Sequence, residues 1–176
     1  MKIRFCGVGG QGIISVAYIL GNAAVLDGYN VIQTRTYGSA YRGMLSKSDV
    51  IISKTPIYEL EFIYPDILVC FSQKGYKVYR EGVHPDGMIF IDSDLVQVDI
   101  NNSNIHRINA SVLSYERFNK KIYGNIIMLG YLTALVEPAT KESMEKVISQ
   151  KAPAGTEKEN LEAFKIGYNI GLEEKN

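Results

Sequence analysis

The chain opens on a short apolar segment that runs into Phe5-Cys6-Gly7-Val8-Gly9-Gly10-Gln11-Gly12-Ile13-Ile14, where four of ten residues are glycine. Glycine has no Cβ, so this loop can turn sharply and let another group approach its backbone closely. At the start of a helix, such a loop also offers unpaired N–H groups and the positive end of the helix dipole to an anion. The glycines at 7, 9 and 12 have the spacing Gly-x-Gly-x-x-Gly, which indicates the strand–loop–helix unit of a nucleotide-binding fold.

Apolar periodicity predicts that strands and helices alternate along most of the chain. This alternation, followed by a run of helices, favours a three-layer, Rossmann-like α/β domain with a mainly parallel sheet and a helical C-terminal portion, formed by residues 1–176 together. Thr156 and Glu159 have the spacing of a capping box for the last helix. We expect strands at 2–6, 29–36, 48–53, 67–72, 88–92 and 105–110, and helices at 11–26, around 76–79, and at 114–119, 122–136, 140–150 and 157–172.

Composition narrows the class of protein. The 19 basic residues balance the 19 acidic ones, so the net charge gives no support for binding nucleic acid or an anionic membrane. No signal peptide is recognisable, and the longest apolar run, 126–136, is too short to span a bilayer. Cys6 and Cys70 lie in apolar segments, where buried, reduced thiols are expected, and two thiols cannot supply the four that an iron–sulfur cluster usually takes. We therefore expect a cytoplasmic protein.

A dinucleotide site needs more than the glycines. In such folds an acidic residue about 20 positions further on, after the second strand, holds the ribose hydroxyls. Here the second strand ends Gln33-Thr34-Arg35-Thr36, and Arg35 could meet only a 2′-phosphate. Three interpretations of the glycine loop remain open: an NAD(P) site, a purely structural turn, and a site for another phosphate group or for a partner subunit.

Several separated motifs occur together along the chain. They are the glycine loop 7–12, Tyr37-Gly38 with Arg42-Gly43, the segments 48–53 and 91–95, Gly124-Asn125 with Gly130, and the segment 160–168. In this order and spacing, residues 2–171 resemble the gamma subunits of 2-oxoacid:ferredoxin oxidoreductases, most closely the 2-oxoglutarate type. Ala40 and Met44 depart from that type, which has Glu and Gly at these positions.

The resemblance implies a non-catalytic subunit of a complex that oxidatively decarboxylates a 2-oxoacid, passes the acyl group to coenzyme A and sends electrons to ferredoxin. It implies thiamine diphosphate, Mg and iron–sulfur clusters in partner subunits, with coenzyme A as a shared substrate. The implied partners are alpha and beta subunits, a ferredoxin-like delta subunit, and a second copy of the chain when it is isolated. Alone, the chain is expected to be inactive. The site residues that the resemblance implies are Gly9, Gly10, Gln11, Gly12, Tyr37, Arg42 and Asn125, with no catalytic residue and no metal ligand.

The residues themselves allow further readings. The guanidinium of Arg42 could bind a phosphate or carboxylate bidentately, or form an ordinary ion pair. Asn125 lies in a helix that is apolar nearly all round, so its amide needs partners, either in a neighbouring loop or in the site. Gly124 and Gly130 would allow close approach of another backbone, at a subunit interface or inside the domain. His84 and His106 lack neighbours at metal-ligand spacing, and Asp92 and Asp94 are expected in a solvated turn.

Overall fold

Six strands and six α-helices form in residues 1–36, 44–98 and 104–176, which are the residues that the computed structural model describes. The predicted order of elements is confirmed throughout. The strands are β1 (Lys2–Val8), β2 (Asn30–Thr36), β3 (Leu45–Ser53), β4 (Ile67–Cys70), β5 (Met88–Asp92) and β6 (Ile105–Ile108). The helices are α1 (Ile13–Leu26), α2 (Gln73–Tyr79), α3 (Ala110–Phe118), α4 (Gly124–Val136), α5 (Lys141–Lys151) and α6 (Glu157–Lys175), with one 3₁₀ turn at Arg80–Gly82.

The six strands form one sheet in the order β2-β3-β1-β4-β5-β6. β1, β4, β5 and β6 run parallel to their neighbours in this series, which confirms the mainly parallel sheet. β3 is the exception, since it pairs antiparallel with both β1 and β2 and so lies between them. The first two strands of the chain are therefore not neighbours, although they would be in a Rossmann βαβ unit.

Successive residues of the parallel strands point to opposite faces, and both faces are covered. On one face Ile3 and Phe5 pack into a large core with α1, α4, α5 and α6. On the other face Cys6 and Cys70 pack with Tyr76 of α2 in a smaller core. Both cysteines are free and fully buried, with 3.4 Å between their Sγ atoms. The expected buried thiols are thereby confirmed.

Helices α4 and α6 pack backbone against backbone. A Cβ on Gly130 would overlap the carbonyl oxygen of Phe164, and one on Gly167 would overlap that of Ile127. A Cβ on Gly171 would lie 2.9 Å from the carbonyl oxygen of Tyr131. The close approach expected at Gly130 is therefore an internal contact, and it explains why α4 is apolar on all sides: it is enclosed.

Three local predictions were wrong. Residues 109 and 110 are not part of a strand. Helix α3 begins at Ala110, four residues before the predicted position, because the carboxylate of Asp92 at the end of β5 caps its first turn. Helix α6 does follow Thr156, but the hydroxyl of Thr156 donates to the carbonyl of Pro153 (2.8 Å) and does not form the predicted capping box. Finally, Asp92 is buried and not solvated.

Candidate functional site

The glycine loop lies between the end of β1 and the start of α1, at the edge of the sheet where the parallel strands end. Gly10 has φ 98° and Gly12 has φ 72°, both in the left-handed region that favours glycine. A Cβ on Gly10 would meet no atom within 4 Å, so the backbone there faces open space. A Cβ on Gly12 would overlap the side-chain amide of Asn125. Gly10 is thus open to a ligand, whereas Gly12 is closed by α4.

Two amide side chains hold this loop in place. Gln11 Oε1 accepts a hydrogen bond from the backbone N–H of Val8 (2.7 Å), and Gln11 Nε2 donates to the carbonyl of Phe71 at the end of β4 (2.5 Å). Asn125 Nδ2 donates to the backbone carbonyl of Gln11 (3.1 Å), which ties the loop to the first turn of α4. Of the two readings of Asn125, the hydrogen bond to a neighbouring loop is therefore present.

Two adjacent hollows open beside the loop, and they share Gly10 and Asn125. The side chain of Ile122, which is 65% exposed, also lines both hollows. The first hollow, of about 370 Å³, lies toward β4 and is lined by Gly10, Gln11, Phe71, Leu95, Ser111, Lys121, Ile122, Gly124 and Asn125. The second, of about 260 Å³, lies toward α5 and α6 and is lined by residues that include Gly12, Ser15, Ile19, Tyr123, Ile126, Lys151, Pro153 and Asn160.

The charge around the hollows is positive. Gly12 occupies the N-cap position of α1, and glycine has no side chain that could cap the first N–H groups of the helix. The first turn of α1 contains no acidic residue. Lys121 lines the first hollow, 3.7 Å from Asp94, and Lys151 lines the second, with its ammonium 5.5 Å from the ring centroid of Tyr18. The arrangement suits an elongated ligand with anionic groups and apolar parts.

Asp92 forms hydrogen bonds to Ser111, which lines the first hollow. Its Oδ2 accepts hydrogen bonds from the backbone N–H (3.0 Å) and the hydroxyl (2.5 Å) of Ser111 in the first turn of α3, and its Oδ1 accepts one from the N–H of Asp94 (3.2 Å). Burial raises the pKa of the Asp92 carboxyl, an effect that the hydrogen bonds from Ser111 and Asp94 oppose. The side chain acts as a cap for α3, and no carboxylate among the described residues forms a hydrogen bond with it.

The remaining candidate residues fall outside this geometry. Tyr37 and Arg42 lie outside the described residues. His84 and His106 do not line the two hollows; His106 Nδ1 lies 2.8 Å from a carboxylate oxygen of Glu174. Within the described part of the chain, no group of three or more His, Cys, Asp or Glu side chains is placed to hold a metal ion. Nor does any helix in those ranges have the length and apolar character to span a membrane.

The structure thus brings Asn125 beside the consecutive residues Gly9, Gly10, Gln11 and Gly12, from which it is far apart in the sequence. Gly9 is exposed, and its N–H donates to the carbonyl of Met44 (3.2 Å). Sequence reasoning missed Lys121, Ile122 and Lys151. Lys121 and Ile122 lie three and two residues before Gly124, so their nearness to the Gly124-Asn125 motif was a usable signal, whereas Lys151 is brought in by the packing of α5 against α1.

The sheet order also bears on the dinucleotide reading. In a Rossmann fold the residue that holds the ribose follows the strand next to β1. Here β3 occupies that place, and β2, which carries Arg35, lies one strand further out. Two strand spacings amount to about 10 Å. Arg35 therefore does not occupy the position from which a Rossmann side chain contacts the ribose.

Comparison with known proteins adds the family relation. The family model described as pyruvate ferredoxin/flavodoxin oxidoreductase matches residues 2–170. A 2-oxoglutarate synthase subunit KorC from Methanocaldococcus jannaschii is 43% identical, over 98% of this chain and 94% of that protein. The crystal structure of a keto/oxoacid ferredoxin oxidoreductase gamma subunit from Geobacter sulfurreducens has a TM-score of 0.85 and 32% identity, and the match covers 98% of each chain.

A further solved structure contains the same fold as part of a longer chain. It is a 2-oxoglutarate:ferredoxin oxidoreductase from Magnetococcus marinus, with 2-oxoglutarate, coenzyme A and succinyl-CoA bound. The TM-score is 0.84 at 21% identity, and the match covers 97% of this chain but 31% of that one. At this identity the likeness concerns the fold alone.

Proposed function

The chain belongs to the pyruvate ferredoxin/flavodoxin oxidoreductase family, and on that premise we propose that it is the gamma subunit of a complex that oxidatively decarboxylates 2-oxoglutarate. The relation to KorC supports this proposal most directly, because it extends over nearly the full length of both chains. The complex would pass the succinyl group to coenzyme A and the electrons to ferredoxin. Thiamine diphosphate with Mg, and iron–sulfur clusters, would supply the decarboxylation and electron-transfer chemistry from partner subunits.

In this proposal the chain's own task is to bind coenzyme A and orient it. The exposed backbone at Gly10 and the uncapped start of α1 would receive a phosphate group, and Lys121 and Lys151 would balance the remaining charge. The apolar walls formed by Phe71 and Ile122 suit the uncharged arm of the molecule. The observation that carries this assignment is the open, left-handed Gly10 at the junction of the two hollows.

Replacement of Gly10 tests the site. Gly10→Asn should raise the KM for coenzyme A by about tenfold or more in the assembled complex, a loss of about 1.4 kcal/mol, because the new side chain would occupy the ligand's space. Asparagine tolerates a positive φ, so the loop itself should persist. The values of kcat and of the KM for the 2-oxoacid should stay within about twofold, since Gly10 contacts neither the 2-oxoacid nor the reacting centre in this proposal.

Gly28 provides the matched control. It has φ 85° and no atom within 4 Å of a Cβ position, but it lies after the other end of α1. Gly28→Asn should leave all three kinetic constants unchanged. Equal KM values for coenzyme A in the Gly10→Asn complex and the wild-type complex would contradict the assignment of the site.

Membership of a complex is tested separately. A tagged chain purified from its native cells should bring down thiamine-containing and cluster-containing polypeptides, and the isolated chain should show no oxidoreductase activity. Recovery of the tagged chain alone, with no such partner, would contradict the proposed function.

A further inference from the structure

Four large apolar side chains are exposed in the connection between β3 and β4. They are Tyr58 (91% exposed), Leu60 (67%), Ile63 (75%) and Tyr64 (61%), and we call them together the apolar loop surface. Single exposed apolar residues are common on soluble proteins, whereas four within seven successive residues indicate an interaction surface. Ile63 and Tyr64 line a groove of about 640 Å³, to which Lys2, Glu59 and Glu61 also contribute.

Hydrogen bonds and ion pairs fix the backbone of the loop that carries this surface. The Arg4 guanidinium donates to the carbonyl of Phe62 (3.1 Å) and lies 5.1 Å from the centroid of its buried ring. Arg4 is in turn fixed by two hydrogen bonds to the carboxylate of Asp49 (2.8 and 2.7 Å). The ammonium of Lys2 forms an ion pair with the carboxylate of Glu59 (2.8 Å). The backbone carbonyl of Pro65 accepts a hydrogen bond from the backbone N–H of His84 (2.9 Å). The exposed side chains are therefore presented on a fixed frame, which lowers the entropy cost of binding a partner.

This surface is separate from the candidate site. β3 runs antiparallel to β1, so the connection from β3 to β4 lies at the edge where the parallel strands begin. The glycine loop lies at the opposite edge. The seven residues of β1 separate the two by about 20 Å at the usual rise of a strand. A partner at the apolar loop surface would leave Gly10 accessible.

The occupant follows from the longer chain in which this fold occurs. In the Magnetococcus marinus protein the match covers 31% of the chain, so a covalent connection keeps the rest of that polypeptide beside the domain. A separate subunit has no such covalent connection, so its association with that polypeptide depends on the contacts at their interface. We propose that the apolar loop surface docks onto the polypeptide of the same oxidoreductase that corresponds to the remainder of that longer chain.

Charge argues for this occupant over a second copy of the chain. Glu59 and Glu61 alternate with the apolar residues, and the segment 54–66 contains three acidic residues and one lysine, with Lys2 paired to Glu59. A two-fold dimer would place the same acidic segment of both copies together, which is unfavourable. The surface therefore fits a partner with an apolar patch that is rimmed by lysine or arginine.

The test uses the complex recovered through a tagged chain, and it rests on the proposed function. The double variant Ile63→Ser with Tyr64→Ser should reduce the co-purified large polypeptide by about tenfold or more, while the Tm of the isolated chain changes by no more than about 2 °C, because both side chains are exposed. The control is Val25→Ser with Tyr115→Ser, which replaces residues that are 55% and 54% exposed elsewhere and should keep the wild-type recovery.

The outcomes separate the two proposals. If the wild-type chain recovers the large polypeptide and the loop variant recovers it equally well, the docking proposal is wrong and the proposed function stands. If the wild-type chain recovers no oxidoreductase polypeptide, the proposed function itself fails. Sedimentation of the isolated chain identifies the other occupant: a dimer that the loop variant abolishes would assign the surface to a second copy and overturn the proposal.

Discussion

At the scale of single residues, the amide side chains near the glycine loop brace it and leave the backbone of Gly10 as the open position. The sequence marked Asn125 as noteworthy, because a polar residue among apolar ones needs partners, and the resemblance implied Gln11 as a site residue. Their contact joins positions 114 residues apart, and no local pattern encodes such a pairing. The residue types were therefore predictable, but their division into bracing and exposed positions was not.

Asp92 yields a pH prediction at the same scale. Its pKa is raised by burial above the value of about 4 that an unfolded aspartate has, so the folded protein holds this proton more tightly than the unfolded chain does. The contribution of Asp92 to stability is therefore fully present below the unfolded pKa and is lost as the pH rises through the folded pKa. Asp92→Asn keeps an oxygen that can accept from Ser111 and removes this titration.

The measurement is the free energy of unfolding in urea as a function of pH, for both proteins. The difference between wild type and Asp92→Asn should shift against the wild type as the pH rises from about 3.5 through the folded pKa. Gln150→Glu, at an exposed site on α5, serves as a control for the addition of an ordinary carboxyl group. A difference between wild type and Asp92→Asn that is independent of pH would contradict the assignment.

At the scale of elements, the helices were predictable because apolar periodicity and length are local properties, and every predicted helix is present. Their boundaries depended on contacts from elsewhere, as the early start of α3 on the Asp92 carboxylate illustrates. The glycine contacts between α4 and α6 were beyond prediction in detail. Gly130 indicated a close approach, but its partner at Gly167 can be recognised only once the two helices are placed side by side.

This helix pair makes a stability prediction. Gly167→Ala should destabilise the protein by about 3 kcal/mol or more, because the new methyl group would overlap the carbonyl of Ile127 and force two backbones apart. Gly21→Ala, inside α1, is the control: its Cβ would lie 3.3 Å from a methyl group of Val31, which can yield, and alanine favours helix.

Thermal and urea unfolding would compare the two variants. Gly21→Ala should stay within about 1 kcal/mol of the wild type, whereas Gly167→Ala should lower the Tm by roughly 10 °C for a domain of this size. Equal Tm values for both variants would show that α4 and α6 can separate at little cost, contrary to the packing described above.

At the scale of the whole molecule, the class of fold was predictable and the strand order was not. Eight residues separate β2 from β3, too few for the crossover that a parallel pair needs, so their antiparallel pairing could have been inferred from spacing. The position of β3 next to β1 has no such local signal, because it depends on pairing between strands that are distant in the sequence. That position is what distinguishes this sheet from the Rossmann order suggested by the glycine spacing.

The sheet order makes a prediction about ligands. Because β3 separates β1 from β2, the strand that follows α1 does not lie next to β1, and within residues 1–36, 44–98 and 104–176 no acidic side chain is placed as in a Rossmann fold to hold the ribose of a dinucleotide. Calorimetric titration of the isolated chain with NADH and with NADPH should therefore give no saturable heat up to about 1 mM, a limit that corresponds to about 4 kcal/mol of binding free energy. Saturable binding in the micromolar range that Gly10→Asn abolishes and Gly28→Asn preserves would instead assign the glycine loop to a dinucleotide, in spite of the inserted strand.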